Sequence, residues 1–360
     1  MSYLKHIAKI FSKKMSAPNS LVFFITNKCN AKCAHCFYWK DLNNPKKPLT
    51  LEEIEKISRN LDDLVLLVLT GGEPFLRMDI VDIVKIFHKN NHVKNLVIPT
   101  NGYFDKMIAE RVEKILEECK GLENLQIYIS LDDEGERHDT LRGVKGIFEK
   151  AKETHKKLTE LKKKHDNLNV GILLTVNPMN QDRIMEVYDY IKKEVDPDVI
   201  SPILMRKTSD KLNSTDVKVE NYEKFKAAVT RDMIKKQFRK RSTSLFSRMR
   251  LLLMQRKMEL IVRTVKGGYQ LPCFAGNISG VLNEYGDVYP CEILNKKMGN
   301  VKDVDYDLKR IWKSKKAKDV RKFIKDTNCH CTYECAMDSN ITFNYKMMSK
   351  IFLKSLFRRF

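Results

Sequence analysis

Six short apolar runs, rich in Val, Ile and Leu, recur along the first 205 residues, and stretches with apolar residues every three or four positions separate them. The runs predict strands over 22–26, 65–70, 96–100, 125–131, 170–176 and 199–204. The intervening periodicity predicts helices over 51–61, 80–89, 104–118, 147–164 and 181–194. Strands joined by crossover helices predict an α/β fold with a mostly parallel sheet, open or curled into a partial barrel. In such sheets the functional site lies at the carboxyl ends of the strands. Residues 221–266 read as helical without a strand, and a further apolar alternation at 278–282 and 288–289, turned at Asn283 to Asp287, predicts a hairpin.

Composition changes this picture in one respect. The 360 residues carry a net charge of +21, an excess that usually marks a nucleic-acid binder. It is concentrated in three segments: 1–18 has four Lys and no acid, 221–266 is net +11, and 344–360 has five basic residues and no acid. The remainder is nearly neutral, and no nucleic-acid module signature occurs, so nucleic acid ranks lowest as a partner. No apolar run approaches the roughly 18 residues of a membrane span. Residues 1–16 are interrupted by Lys5, Lys9, Lys13 and Lys14 and lack the apolar stretch of a signal peptide. The expected compartment is the cytosol.

Both basic ends have helical spacing, with Leu4, Ile7, Ile10 and Phe11 in one and Ile351, Phe352, Leu356 and Phe357 in the other. That pattern suits a helix lying on an anionic membrane, on the inner face, and equally a terminal helix docked on the core. The stretch 235–263 adds Leu245, Met249, Leu252 and Leu253 among basic residues. The Lys-rich run 145–164 is expected to be a solvated helix face.

Nine cysteines in a cytosolic chain point to metal or redox chemistry before disulfides. Cys119 stands alone at the end of a helical pattern and is expected to be a small core residue. Cys29-x3-Cys33-x2-Cys36 directly follows the first strand, at the end where a site is expected. Three thiolates hold three corners of a [4Fe–4S] cluster and leave one iron open. A zinc site completed by His35, or structural thiols, are the competing readings. Cys273, Cys291, Cys329, Cys331 and Cys335 form a second group, suited to an auxiliary cluster or a structural zinc.

The first group resembles the signature of the radical S-adenosylmethionine (radical SAM) superfamily. Gly71-Gly72-Glu73-Pro74, after the second strand, resembles that family's GGEP motif. Ser130-Leu131-Asp132, with Glu136, His138, Asp139, Arg142 and Gly143, resembles its SLD segment in members with a C-terminal SPASM or twitch extension. The resemblance implies a partial (β/α)6 TIM-like barrel with a C-terminal Cys-rich twitch/SPASM-like domain. It implies that Cys29, Cys33 and Cys36 hold the cluster, and that backbone near Gly71 and Gly72 together with Glu73 meets the methionine amino group of SAM. Ser130 and Arg142 would face ribose and carboxylate, and His35 the adenine. The cofactors implied are SAM, its [4Fe–4S] cluster and one auxiliary [4Fe–4S] cluster, and the partner implied is a low-potential donor such as a flavodoxin or ferredoxin. The spacing Cys273-x12-Gly286-x4-Cys291 is similar to the opening of SPASM domains. The second half is shortened to Cys329-x-Cys331-x3-Cys335, leaving five cysteines where a full SPASM domain has at least seven. One auxiliary cluster is therefore expected, on Cys273, Cys291 and Cys335 with Cys329 or Cys331 as fourth ligand.

The organisation expected is a basic amphipathic segment (1–18), a radical SAM core (19–215), a basic helical bridge (216–270), an auxiliary-cluster domain (271–340) and a basic tail (341–360). The function implied is reductive cleavage of SAM to a 5′-deoxyadenosyl radical that activates a C–H bond. The substrate reading is a membrane-associated or lipid- or glycan-linked molecule, with peptide or protein modification as the alternative. A third reading is an electron-transfer or scaffold protein without SAM chemistry. No catalytic side chain is assigned, although Glu334 and Asp338 are acid-base candidates.

Overall fold

The computed structural model describes residues 16–206, 209, 211–239 and 245–357. The amphipathic pattern expected at 1–15 and the final three residues lie outside these. Six parallel strands, β1 (Ser20–Thr26), β2 (Leu66–Gly71), β3 (Asn95–Thr100), β4 (Asn124–Ser130), β5 (Leu168–Val176) and β6 (Val199–Leu204), stand in sequential order in one sheet. The crossovers carry α1 (Leu51–Arg59), α2 (Ile80–Asn91), α3 (Asp105–Glu118), α4 (Gly135–Arg142), α5 (Ile147–Lys162) and α6 (Ile184–Tyr190). This is the partial-barrel α/β architecture expected.

Alternation along the strands gives the sheet two different faces. Leu21, Phe23 and Ile25 of β1, Leu67 and Leu69 of β2, Ile127 and Ile129 of β4 and Ile172 and Leu174 of β5 are buried in the core shared with the helices. The opposite, concave face carries Val97, Pro99, Tyr128, Ser130, Leu173, Thr175, Ser201 and Ile203, all half-buried. Near β1 this face closes into a small apolar cluster of Val22, Phe24 and Val281 with Phe37, Tyr38, Val68 and Tyr289.

The predicted hairpin is β7 (Ser279–Leu282) and β8 (Asp287–Tyr289), followed by β9 (Gly299–Asn300). It does not form a separate sheet. β7 pairs in parallel with β1 from Ser20↔Ser279 to Phe23↔Leu282, so β7, β8 and β9 extend the sheet beyond β1. The basic bridge folds as two long helices, α7 (Val219–Arg239) and α8 (Leu245–Gly267). α9 (Leu308–Lys313), α10 (Lys315–Asp326), α11 (Glu334–Thr342) and α12 (Tyr345–Phe357) complete the chain, with α11 and α12 packed on α8.

Candidate functional site

The loop after β1 is shaped by backbone that tolerates no side chain. Thr26 O accepts from Gly72 N (2.9 Å), and Lys28 O accepts from Glu73 N (2.8 Å). A Cβ on Gly71 would sit 2.0 Å from Thr26 O, and one on Gly72 would sit 2.3 Å from Lys28 O. Gly71 also has φ +134°, a region that favours glycine. The two glycines thus let the end of β2 lie directly against the start of the cysteine loop.

Three other elements fix that loop. Asn43, itself at φ 58°, brackets Cys29: its Oδ1 accepts from Cys29 N (3.1 Å) and its Nδ2 donates to Cys29 O (3.1 Å). At the end of α4, Arg142 O accepts from Lys32 N (3.1 Å) and Leu141 O from Ala34 N (2.8 Å). Gly143, the left-handed cap of α4, packs where a Cβ would meet Lys32 O at 2.9 Å. The hairpin turn supplies Tyr285, whose hydroxyl accepts from Asn27 Nδ2 (3.0 Å), and Glu284, which accepts from Tyr38 (2.5 Å).

Cys33 and Cys36 lie within electrostatic reach of Cys29. Burial, and then the charges of Glu73, Cys33 and Cys36, push the Cys29 thiol up to about 12. A positively charged group among them would reverse that shift, which is the behaviour expected of cluster ligands. Buried polar atoms surround the loop without a protein partner: His35 Nδ1, Arg142 Nε and Asn30 Nδ2. Groups of this kind call for a ligand or water. No three Cys, His, Asp or Glu groups among the described residues close to the spacing of a mononuclear metal site.

Glu73 and Arg142, both expected near SAM, are buried. Glu73 is 1% exposed; its Oε1 accepts from Thr100 Oγ1 (2.8 Å) and Phe75 N (3.2 Å), and its Oε2 from Asn101 N (2.7 Å). Burial raises its pKa to about 7 despite these bonds. Its carboxylate ties the end of β3 to the end of β2. Arg142 is also buried; its guanidinium pairs with Asp132 and lies 3.6 Å from Cys33 Sγ. Burial alone would raise the Asp132 pKa, but Arg142, His35 and His138 outweigh it and hold Asp132 below the usual carboxylate range. His35 Nε2 stands 3.5 Å from Asp132 Oδ2, and burial lowers the His35 pKa to about 4. Ser130 ends β4 on the concave face.

Four thiols of the second cysteine group lie near the hairpin. Cys273, Cys291, Cys329 and Cys331 lie within electrostatic reach of one another, and burial, reinforced by neighbouring thiols, pushes Cys291 to about 11 and Cys331 to about 12. Cys335 begins α11 with Glu292, Arg206 and Asp338, rather than another thiol, as its strongest charged neighbours. Cys119 is fully buried, as expected for a core thiol.

Sequence reasoning missed Arg206, just beyond β6. Its guanidinium meets Glu292 (2.9 Å) and Glu334 (3.0 Å) and packs on Tyr333 (4.3 Å to the ring centre) and Phe37 (5.6 Å). These neighbours adjoin Cys291, Cys335 and Cys36, so one cation joins both cysteine regions. Only long-range contact reveals it. Asp338 instead pairs with Lys257 of α8 (2.8 Å). The Tyr128 hydroxyl, on the concave face, feels Lys257, Arg250, Asp338 and Cys335.

Residues 23–191 match the Radical SAM superfamily, and residues 273–336 match SPASM, an iron-sulfur cluster-binding domain. The AdoMet-dependent heme synthase of Methanosarcina barkeri (strain Fusaro / DSM 804) is 25% identical over 305 residues, 83% of each chain. The sporulation killing factor maturation protein SkfB of Bacillus subtilis (strain 168) is 28% identical over 178 residues, 48% of this chain and 39% of that protein. Other relatives, such as Fe-coproporphyrin III synthase and GTP 3′,8-cyclase, are likewise matched over less than half of their length. Among solved structures, anSMEcpe with bound AdoMet superposes with a TM-score of 0.57 at 20% identity, covering 94% of this chain and 97% of that one. Streptococcus suis SuiB bound to S-adenosylmethionine gives 0.59 at 17% identity, covering 89% and 71%.

Proposed function

Because the chain is a radical SAM enzyme carrying a C-terminal SPASM iron-sulfur domain, we propose that it activates a C–H bond of an amphipathic, anionic substrate held on the concave face of its sheet. One observation carries this reading. The half-buried face of Val97, Pro99, Leu173 and Ile203 offers an apolar bed, and beside it Tyr128 lies near Arg250 and the Lys257–Asp338 ion pair. An apolar body with an acidic group is complementary to both. The location proposed with it is the inner surface of a membrane, where a lipid- or glycan-linked substrate of this kind would reside.

Cys29, Cys33 and Cys36 are the proposed ligands of the SAM cluster, and Cys273, Cys291, Cys329 and Cys331 those of an auxiliary cluster. When bound, the first cluster supplies the electron that cleaves SAM to a 5′-deoxyadenosyl radical, drawn from a low-potential donor such as a flavodoxin or ferredoxin. The protein's own task is placement. Gly71 and Gly72 let backbone approach the methionine end, and Glu73 holds that backbone from beneath. Asp132 keeps Arg142 charged and aimed at Cys33. His35 and Ser130 flank the space left for the nucleoside. The concave face orients the substrate and excludes water from the radical.

Reconstitution under anaerobic conditions with SAM and dithionite tests the reading. Release of 5′-deoxyadenosine is expected, and its loss in C33A. No release from protein with an intact cluster spectrum would refute it. A second reading, modification of a peptide, draws on the similarity to SkfB and on the fold shared with SuiB bound to its precursor peptide SuiA. Deuterium transfer into 5′-deoxyadenosine from a labelled peptide, and not from a lipid-linked substrate, would favour it.

A further inference from the structure

The helix α12 divides into three sectors. At roughly 100° per residue, Met347, Met348, Ile351 and Ser355 share one side, which packs inward, with Ile351 and Ser355 buried. Phe352 (43% exposed), Leu353 (53%) and Leu356 (44%) form a second sector that faces solvent. Lys346, Lys350 and Lys354, four residues apart, form the third and line a groove of about 520 Å³ between α12 and α8, floored by Leu252, Met347 and Ile351. The acid on the groove wall, Glu259, is already engaged by Arg256 (2.6 Å) and Arg263 (2.5 Å). The lysine row therefore presents net positive charge next to an apolar surface.

We propose that this face of α12 and α8 docks on an anionic lipid bilayer, with Phe352, Leu353 and Leu356 entering the headgroup layer and Lys346, Lys350 and Lys354 meeting lipid phosphates. Charge decides the occupant. Residues 1–18, with four Lys and no acid, would be repelled from the lysine row, and so would a second copy of the same face. Exposed Phe and Leu need an apolar acceptor, and the lysines beside them need an anionic one. An anionic bilayer supplies both at the depth a surface helix reaches. The inference rests on this surface and not on the reaction or its substrate.

Full-length reconstituted protein is floated with vesicles of phosphatidylcholine alone, or with a third of the lipid replaced by phosphatidylglycerol. Binding to the mixed vesicles and not to the neutral ones is expected, weakening as salt is added. Each lysine near the surface contributes roughly a fivefold change in partitioning, so K350E/K354E should lower it by at least about 25-fold. F352Q/L356Q should also abolish flotation. Both variants alter exposed positions, so their circular dichroism and their release of 5′-deoxyadenosine from SAM should match the parent, which separates failure of docking from failure of the enzyme. Absence of binding to anionic vesicles, or parental binding by both variants, would overturn the proposal. So would protection of the lysines by a soluble acidic peptide without vesicle binding, which would assign the groove to a peptide partner.

Discussion

Glu73 shows how one buried side chain can brace a motif's backbone. Its two oxygens accept three hydrogen bonds beneath the Gly71-Gly72 backbone. In E73Q the amide nitrogen must face either Asn101 N–H or the Phe75 and Thr100 donors, which leaves at least one buried donor unpaired. A loss of about 1–3 kcal/mol is expected, read from urea midpoints, together with a raised KM for SAM. His138 makes a different prediction. It is fully buried, its Nδ1 accepts from Asp132 N (3.1 Å), and burial lowers its pKa from 6.5 to about 3. The unfolded chain binds that proton more tightly, so the stability contributed by neutral His138 is complete above pH 6.5 and is lost as pH falls toward 3. Between pH 7 and 5 the loss is about 2 kcal/mol. H138Q should lose correspondingly less over the same interval, as measured by urea unfolding at the two pH values.

Among the elements, those with a strong period were legible in the sequence, and the short ones that organise the site were not. All six parallel strands lie within two residues of the runs that predict them, because each is a short apolar run bounded by polar residues. α4 escaped notice because it buries only His138, Leu141 and Arg142 and so has almost no apolar stripe. Yet its last turn holds the cysteine loop through Lys32 and Ala34. Of the site, the three N-terminal cysteines and the two glycines were readable from spacing. The burial of Glu73 and Arg142 was not, since each depends on partners from other strands and helices. The same holds for the join between β6, the hairpin and α11 at Arg206. Replacing Arg206 by Met leaves Glu292 and Glu334 buried without their cation, and about 3–5 kcal/mol of destabilisation is expected in thermal or urea unfolding. Adding E292Q and E334Q to that variant should recover much of the loss, whereas a purely steric role for Arg206 would leave it unchanged.

At the scale of the whole molecule, the charge of +21 is peripheral to the chemistry. The site is built from a few buried ion pairs, while the excess lies in segments 1–18, 221–266 and 344–360. No helix among the described residues is long and apolar enough to cross a membrane. The SPASM region is joined to the core by more than contact: β7 completes the free edge of β1, and Tyr285 reaches Asn27 across 258 residues of chain. This has a bearing on biogenesis. As the chain leaves the ribosome, the first cysteine loop and all six parallel strands are made long before the hairpin that clasps them. Until then β1 has an open edge, and Asn27 and Tyr38 lack Tyr285 and Glu284. The contacts that clasp the first cysteine loop thus depend on residues synthesised long after it.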